Sequence, residues 1–559
     1  MRLRDLPGLP PDPSGATQRT AWSSVLMFLF MLVLALLPGL WSVAGITQSA
    51  VVDLHRDAAF VRALMQGHHG QDPTYLEGAL WYPPFITWCE ALVAWATGLP
   101  VPEAIVKMGP WFNLLAPAAF FVMTWYFLGP VRAVACTAVF LFFTGGQEPG
   151  WAVPGYSPRM IPASASQWLF YLELILLHRA IRSQRAGPSL AAGVGAGITF
   201  LSHPAPAMLA VLLFAGFRLH ALALALRRRD RTAVRKLLWC SMEAGAAFLV
   251  ATLPLTWYLF SNGAQVQNRD GSLYTYYALT LRGDRIFLYH NLGIFLLFAL
   301  WGLWQVLRQP MGAGRESEGK RLFIAWFVVS VALFFYTYGV AALNSNFGIR
   351  LPTLVPTFHF YFYAKGALTV FAGLAAWALF AWAWRHMEKR GRHVHAGTSG
   401  QALVFFVLVA LATVLHYPSY ATRRDVAVVR QRNLAFQEDK DGLAASVWIG
   451  RALPWEAVVL CDEPISIWPM LPTARHVVAT TSTMGNPYLD KEARQTANAM
   501  LFQAMRQPVA GTEEVLDRYR VSHLLVHPQE LEHMPLARRW FPHEVYRNGG
   551  YILLARPGH

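Results

Sequence analysis

The sequence predicts an all-α polytopic membrane protein that ends in a small external α/β domain. Three observations predict it. Of 559 residues, 55% are hydrophobic and only 14% are charged, where a soluble domain carries about a quarter charged residues. Apolar runs recur as far as residue 416, most near the ~20 residues that span the hydrocarbon core and several shorter. Beyond residue 417 these runs stop and short β-rich runs alternate with helical patterns. A soluble enzyme, a disordered chain and a fibrous repeat are excluded by the same numbers.

Residues 1–21 are read as a cytoplasmic N-terminus, with Arg2, Arg4 and Arg19 holding it inside. The first apolar run, 22–44, is too long for a signal-peptide core and is read as a retained anchor. Further crossings are expected at 106–128, 133–144, 166–177, 190–202, 205–226, 237–260, 286–307, 322–343, 362–384 and 402–416, about eleven in all. Together, 22–416 form the transmembrane region.

Basic clusters set the orientation: Arg179, Arg182 and Arg185; Arg227 to Lys236; Arg308, Arg315, Lys320 and Arg321; Arg385, Lys389, Arg390 and Arg392. All four are read as cytoplasmic. The net charge of +15 follows this loop distribution rather than a nucleic-acid groove, so no nucleic-acid partner is expected. Parity then requires that 81–97, with Trp81, Tyr82, Trp88 and Trp95, lie in the outer interface and not cross. Glu90 and Glu103 are accordingly expected to be reachable from outside. The first external loop is 45–105, and the tail 417–559 lies outside as an α/β domain. Strands are expected there at 457–461, 476–480, 523–527 and 551–555, and helices at 491–506 and 512–519. Cys89, Cys136, Cys240 and Cys461 lack CxxC spacing, so neither disulfides nor zinc are expected.

Chemistry-bearing residues concentrate at the external lip. In VVDLHRDAAFVRALM, Asp53 and Asp57 share a helix face at i, i+4 beside Arg56, an arrangement that raises one carboxyl pKa or attracts a cation. Such a pair can supply a general base; the plainer reading makes Asp53 a helix cap and Asp57 a solvated acid. The Gly- and Pro-rich loop GGQEPGWAVPGYSPRMIP carries Glu148, Tyr156 and Arg159, and LSHPAP places His203 at the outer end of a helix, where a proline stops the run. Arg350, His359 and Lys365 follow in the next external loop. Lys365 opens an apolar crossing, where it either snorkels to the headgroups or binds a lipid-linked phosphate. No P-loop, GxSxG, HExxH or acid-followed GxGxxG offers a soluble chemistry.

The acid after the first crossing (VVDLHRD), the aromatic and double proline of LWYPPFITW, the Gly-bounded connector, the turn at Arg132, the LSHP element and the external tail together resemble GT-C integral-membrane glycosyltransferases. The resemblance spans nearly the whole chain and reaches the aminoarabinose, protein-mannosyl and arabinofuranosyl transferases. It implies a polyprenyl-phosphate sugar donor, a glycan, lipid or protein acceptor, and a site in the bacterial inner membrane that faces outward. It implies Asp53 as acceptor-activating base, with Asp57 as the fallback. Arg56, Glu148, Arg159, His203, Arg350, His359 and Lys365 are its substrate-binding positions. If the reaction uses a divalent cation, Mg or Mn, Asp53 and Glu148 are its implied ligands; the glutamate departs from the aspartate of many relatives.

Two other readings share these features. An oligosaccharide polymerase or ligase keeps the external site but relies on arginines of a large loop. A lipid-linked sugar transporter or flippase buries ionisable groups at the midplane and shows related halves.

Overall fold

The computed structural model describes residues 18–144, 154–183, 185–261, 291–310, 312, 314–349, 355, 358–390, 398–481 and 484–558. The first helices in chain order are α1 (Gln18–Val43), α2 (Val52–Met65), α3 (Pro84–Thr97), α4 (Val101–Phe112), α5 (Leu115–Leu128) and α6 (Pro130–Phe142). A single turn, α7 (Pro162–Ala165), precedes α8 (Gln167–Ser183), α9 (Ala186–Ser202), α10 (Pro204–Arg227) and α11 (Arg231–Ser261). Then come α12 (Asn291–Arg308), α13 (Arg315–Phe347), α14 (Phe358–Lys389), α15 (Thr398–Ala421), α16 (Arg424–Phe436) and α17 (Lys440–Ala452). The fold is all-α with a small sheet near the C-terminus, as expected. Among the described residues, seven helices are long and apolar enough to cross a membrane, and Pro130–Phe142, Ala186–Ser202 and Leu292–Arg308 are shorter apolar helices.

The expected interfacial segment is helical over Pro84–Thr97. Its 14 residues extend roughly 21 Å at 1.5 Å per residue, short of the ~30 Å core. Proline at its first position starts it, and Gly98 ends it in the left-handed conformation, φ 67°.

The chain divides into two compact units. The helical unit comprises 18–44 and the described parts of 109–252 and 272–429. Its helices approach closely where side chains are missing: a Cβ on Gly302 of α12 would lie 1.9 Å from the Phe371 carbonyl of α14. One on Gly373 would lie 2.5 Å from Cys136 Cα of α6. Such backbone proximity is how helices gain van der Waals contact in lipid, where association has no hydrophobic drive. One end of this unit is tied by ions. Arg132, buried at the start of α6, pairs with Glu316 of α13 at 2.7 Å, and Lys320 binds the same carboxylate. Glu318 accepts from His178 Nε2 at 2.8 Å, with Arg182 3.9 Å away. Residues of the turn at Arg132 and of two basic clusters thus meet at one end of this unit.

The second unit comprises 45–108, 253–261 and the described part of 430–559. Its sheet has the order β2-β1-β3-β5-β4, with β1 (Val458–Leu460) and β3 (Val521–Val526) parallel to their neighbours β2 (His476–Val477) and β1, and β5 (Ile552–Ala555) antiparallel to β3 and β4. Four strands lie at the expected runs. The fifth, β4 (His543–Arg547), is an exposed polar edge strand with a register shift, and without an apolar run it carries no period-2 signal. Helices α18 (Lys491–Arg506) and α19 (Thr512–Arg518) pack Leu501, Met505 and Leu516 onto the sheet.

The first loop is part of this domain. Val477 N–H donates to Thr74 O at 2.9 Å, Asn486 Nδ2 donates to buried Asp72 at 2.9 Å, and Tyr75 lies in the core beside Ile449 and Leu525. Burial pushes the Asp72 carboxyl up to about 6 despite the Thr74 and Asn486 donors. Arg494 stacks on Tyr75 at 4.2 Å. Tyr75→Ala is expected to cost about 3–5 kcal/mol, the range for emptying an aromatic core position. Its measure is a lowered thermal midpoint of the full-length protein in detergent; an unchanged midpoint would detach the loop from the domain core.

Candidate active site

Helix α2 assembles the site. Ala, Leu and Arg favour its helical state, and Asp53 in its first turn suits the positive end of the helix dipole. The cap before it is Val51, which makes no side-chain cap, so Asp53 is not the capping residue. Asp57 is not solvated: its side chain is 1% exposed.

Arg56 lies between the two acids. Its Nη1 is 3.2 Å from Asp53 Oδ1, and its Nη2 donates to Asp57 Oδ1 at 3.1 Å and to the Tyr82 hydroxyl at 2.7 Å. The guanidinium also stacks on the Tyr82 ring at 4.1 Å, and Phe60 stacks on that ring from α2. The arginine is thus the cation that the i, i+4 acids attract. Burial pushes the Asp57 carboxyl up to about 7, against the Arg56 charge, with Asp53 adding to the rise. Asp53 differs in one decisive respect: 40% of its side chain is exposed. One acid is buried and anchors the arginine; the other is held by it and remains reachable.

Glu90 completes the cluster and was missing from the sequence-derived set. Instead of being reachable from outside, it is 1% exposed on α3, because its helix turns that face toward the acid–arginine cluster. Burial raises its carboxyl well above the ordinary range, with the Asp57 charge adding and Arg56 opposing. The signal for it was one acid in an otherwise apolar helix.

Among the described residues, no three His, Cys, Asp or Glu side chains come together to hold a metal. Asp53 is paired with Arg56, and Glu148 lies outside the described residues, as does Arg350. Among the described residues no ligand set for a divalent cation forms; Asp53 is the one implied ligand they include.

The other expected positions belong to the helical unit. His203 caps α10, its Nδ1 accepting from Ala205 N–H at 3.2 Å, and its ring lies 4.6 Å from that of His359. Arg159 gives its carbonyl to Asn113 Nδ2 at 2.7 Å. Lys365 is fully buried on α14, so it does not snorkel. This unit also holds an apolar groove of about 930 Å³ walled by α6, α12, α14 and α15. Tyr156, Tyr420, Arg423 and Asp425 line it too. Arg423 Nε donates to Asp425 at 2.7 Å, its Nη2 to the Tyr156 carbonyl at 2.8 Å, and its guanidinium covers the Tyr420 ring at 4.0 Å. Sequence reasoning passed over Arg423 because it falls in the polar stretch after the last apolar run.

No protein-family model matches the chain, and no curated protein matches it. Solved structures do. The oligosaccharyltransferase of Archaeoglobus fulgidus in its apo form is 12% identical with a TM-score of 0.54, over 93% of this chain and 73% of that one. The same organism's AglB, in complex with an inhibitory peptide and a dolichol-phosphate, is 13% identical with a TM-score of 0.53, over 94% and 73%. ArnT from Cupriavidus metallidurans, bound to undecaprenyl phosphate, is 15% identical with a TM-score of 0.53, over 96% of this chain and 98% of that one. At these identities the likeness is one of fold. The chain is a multi-pass membrane protein with the GT-C fold.

Proposed function

We propose that this chain is a membrane glycosyltransferase that moves a sugar from a polyprenyl-phosphate donor to an acceptor hydroxyl by a single inverting displacement. The observation that carries the reading is the half-exposed Asp53, held by a buried arginine that Asp57 and Tyr82 anchor in turn. Preorganisation of this kind is what a positioned general base needs. The acceptor O–H proton passes to the Asp53 carboxylate as the oxygen bonds to the anomeric carbon. The bond from that carbon to the phosphate oxygen breaks, and the polyprenyl phosphate leaves with the electron pair. Arg56 is a positioning residue whose donors are engaged by Asp53, Asp57 and Tyr82. Lys365, Arg159 and Arg350 are proposed as cations for the donor phosphate, with His203 and His359 as polar donors, and Glu148 as an acceptor-side group.

The apolar groove supports a prenylated donor, since walls of this kind suit a hydrocarbon chain and Arg423 supplies a charge beside it. The relatives in fold that carry dolichol-phosphate and undecaprenyl phosphate point the same way. The proposed location is a bacterial inner membrane, with the N-terminus cytoplasmic and the sheet-bearing domain external.

The test is transfer from polyprenyl-phosphate sugars by the full-length chain in liposomes; absence of any transfer across a donor panel overturns the reading. Within it, Ala376→Trp, which fills part of the groove, is expected to raise the donor KM by more than about tenfold, ~1.4 kcal/mol of lost binding, with kcat little changed. An unchanged KM removes the groove from donor binding.

A further inference from the structure

The helical unit carries a second cavity, of about 390 Å³, between α8, α9, α10 and α11. Its walls are apolar, formed by residues such as Leu177, Ala196, Phe214, Leu238 and Gly245. Arg218 is the one charged side chain among the described residues lining it. That arginine is 5% exposed. Its Nη2 donates to the Ala180 carbonyl at 3.0 Å and lies 3.4 Å from Ser189 Oγ, which fixes the guanidinium in place. Its Nε and Nη1 are buried and have no hydrogen-bond partner among the described residues. Among the described residues no carboxylate pairs with it. A buried guanidinium with two idle nitrogens is costly unless an anion completes it.

The surroundings say which anion. Arg218 lies about two and a half helical turns before the end of α10, around which Arg227, Arg228, Arg229, Arg231, Arg235 and Lys236 are exposed. Arg179, Arg182 and Arg185 are exposed at the neighbouring end of α8. This is the end of the bundle that also holds the Arg132–Glu316 network, identified by His178 and Arg182 of the same helix. A cationic rim, one buried idle arginine and an apolar cavity between crossing helices match the three parts of an anionic lipid: headgroup, phosphate and acyl chain.

We propose that this cavity binds an anionic glycerophospholipid from the leaflet on the basic side of the protein, its phosphate on Arg218 and one acyl chain between α9, α10 and α11. The site belongs to a structural lipid and stands independently of the transfer chemistry.

The experiment is native mass spectrometry of the full-length protein, delipidated in detergent and then mixed with phosphatidylglycerol or phosphatidylcholine. Wild type is expected to retain phosphatidylglycerol preferentially. Arg218→Leu should weaken that retention by about tenfold, as expected for losing a charge-assisted contact. Gly245→Leu gives a second route: nothing lies within 4 Å of a Cβ there, so the leucine enters the cavity while Arg218 stays. It should also displace the lipid. Arg539→Ala, which removes an exposed cation of the sheet-bearing unit outside the rim, should retain it. Wild-type retention in both Arg218→Leu and Gly245→Leu overturns the proposal, as does equal loss in Arg539→Ala, which reduces the effect to general surface attraction. Preferential binding of undecaprenyl phosphate over phosphatidylglycerol by wild type, lost in Arg218→Leu, overturns the assigned occupant.

Discussion

Asp53→Asn is expected to lower turnover by about 10² to 10⁴-fold, the usual cost of removing a positioned general base. The substitution keeps the size of the side chain and its ability to meet Arg56 through an amide oxygen, so the fold and donor binding should survive better than kcat. Asp53 is the reachable acid of the cluster, 40% exposed against 1% for Asp57. The measurement is single-turnover transfer from a polyprenyl-phosphate sugar, with thermal midpoints recorded alongside. Near-normal turnover moves the base elsewhere. A large loss in Asp57→Asn with a normal Asp53→Asn assigns it to Asp57 and leaves the transferase reading intact. If both stay active while Arg350→Ala abolishes transfer, the polymerase or ligase chemistry gains instead.

The second large effect is on stability. Arg56→Leu leaves Asp57 buried at 1% exposure without its cation, and Tyr82 without its donor. Removing one partner of a buried pair typically costs about 3–5 kcal/mol, because the stranded charge is not repaid by solvent. The variant should therefore lose thermal stability as well as activity, whereas Asp53→Asn should lose activity alone. Arg56→Lys keeps the charge but not the planar fork that reaches three acceptors, so it should recover part of the stability and little of the rate. If Arg56→Leu is as stable as wild type, the arginine does not anchor the site as argued.

How much of this was legible in the sequence can be argued from single residues. The acids of α2 were legible because i, i+4 spacing is local: a helix places Asp53 and Asp57 on one face with Arg56 beside them, wherever the helix lies. Tyr82 as the arginine's third partner was not, because 26 positions and a loop separate them. The bond from Asn486 to Asp72 spans 414 positions, so nothing in either neighbourhood announces that the first loop folds into the C-terminal domain. Glu90 was misread as reachable because interfacial placement says where a helix lies, not which face it turns inward. The edge strand His543–Arg547 escaped because a solvent-facing strand needs no apolar run.

By itself the sequence determined the membrane class, the long apolar helices, the short helix at Pro84–Thr97, and the strands that bury their side chains. These follow from hydropathy, length and period, which act over one or a few turns of chain. Only the tertiary structure decided that Arg56 is buried between its acids, that Glu90 joins them, that Arg423 lines a 930 Å³ groove and that Arg218 is buried in another cavity with two nitrogens lacking a hydrogen-bond partner among the described residues. Burial and partner choice are set by groups hundreds of residues apart, and the dielectric each charge meets exists only once those groups have packed.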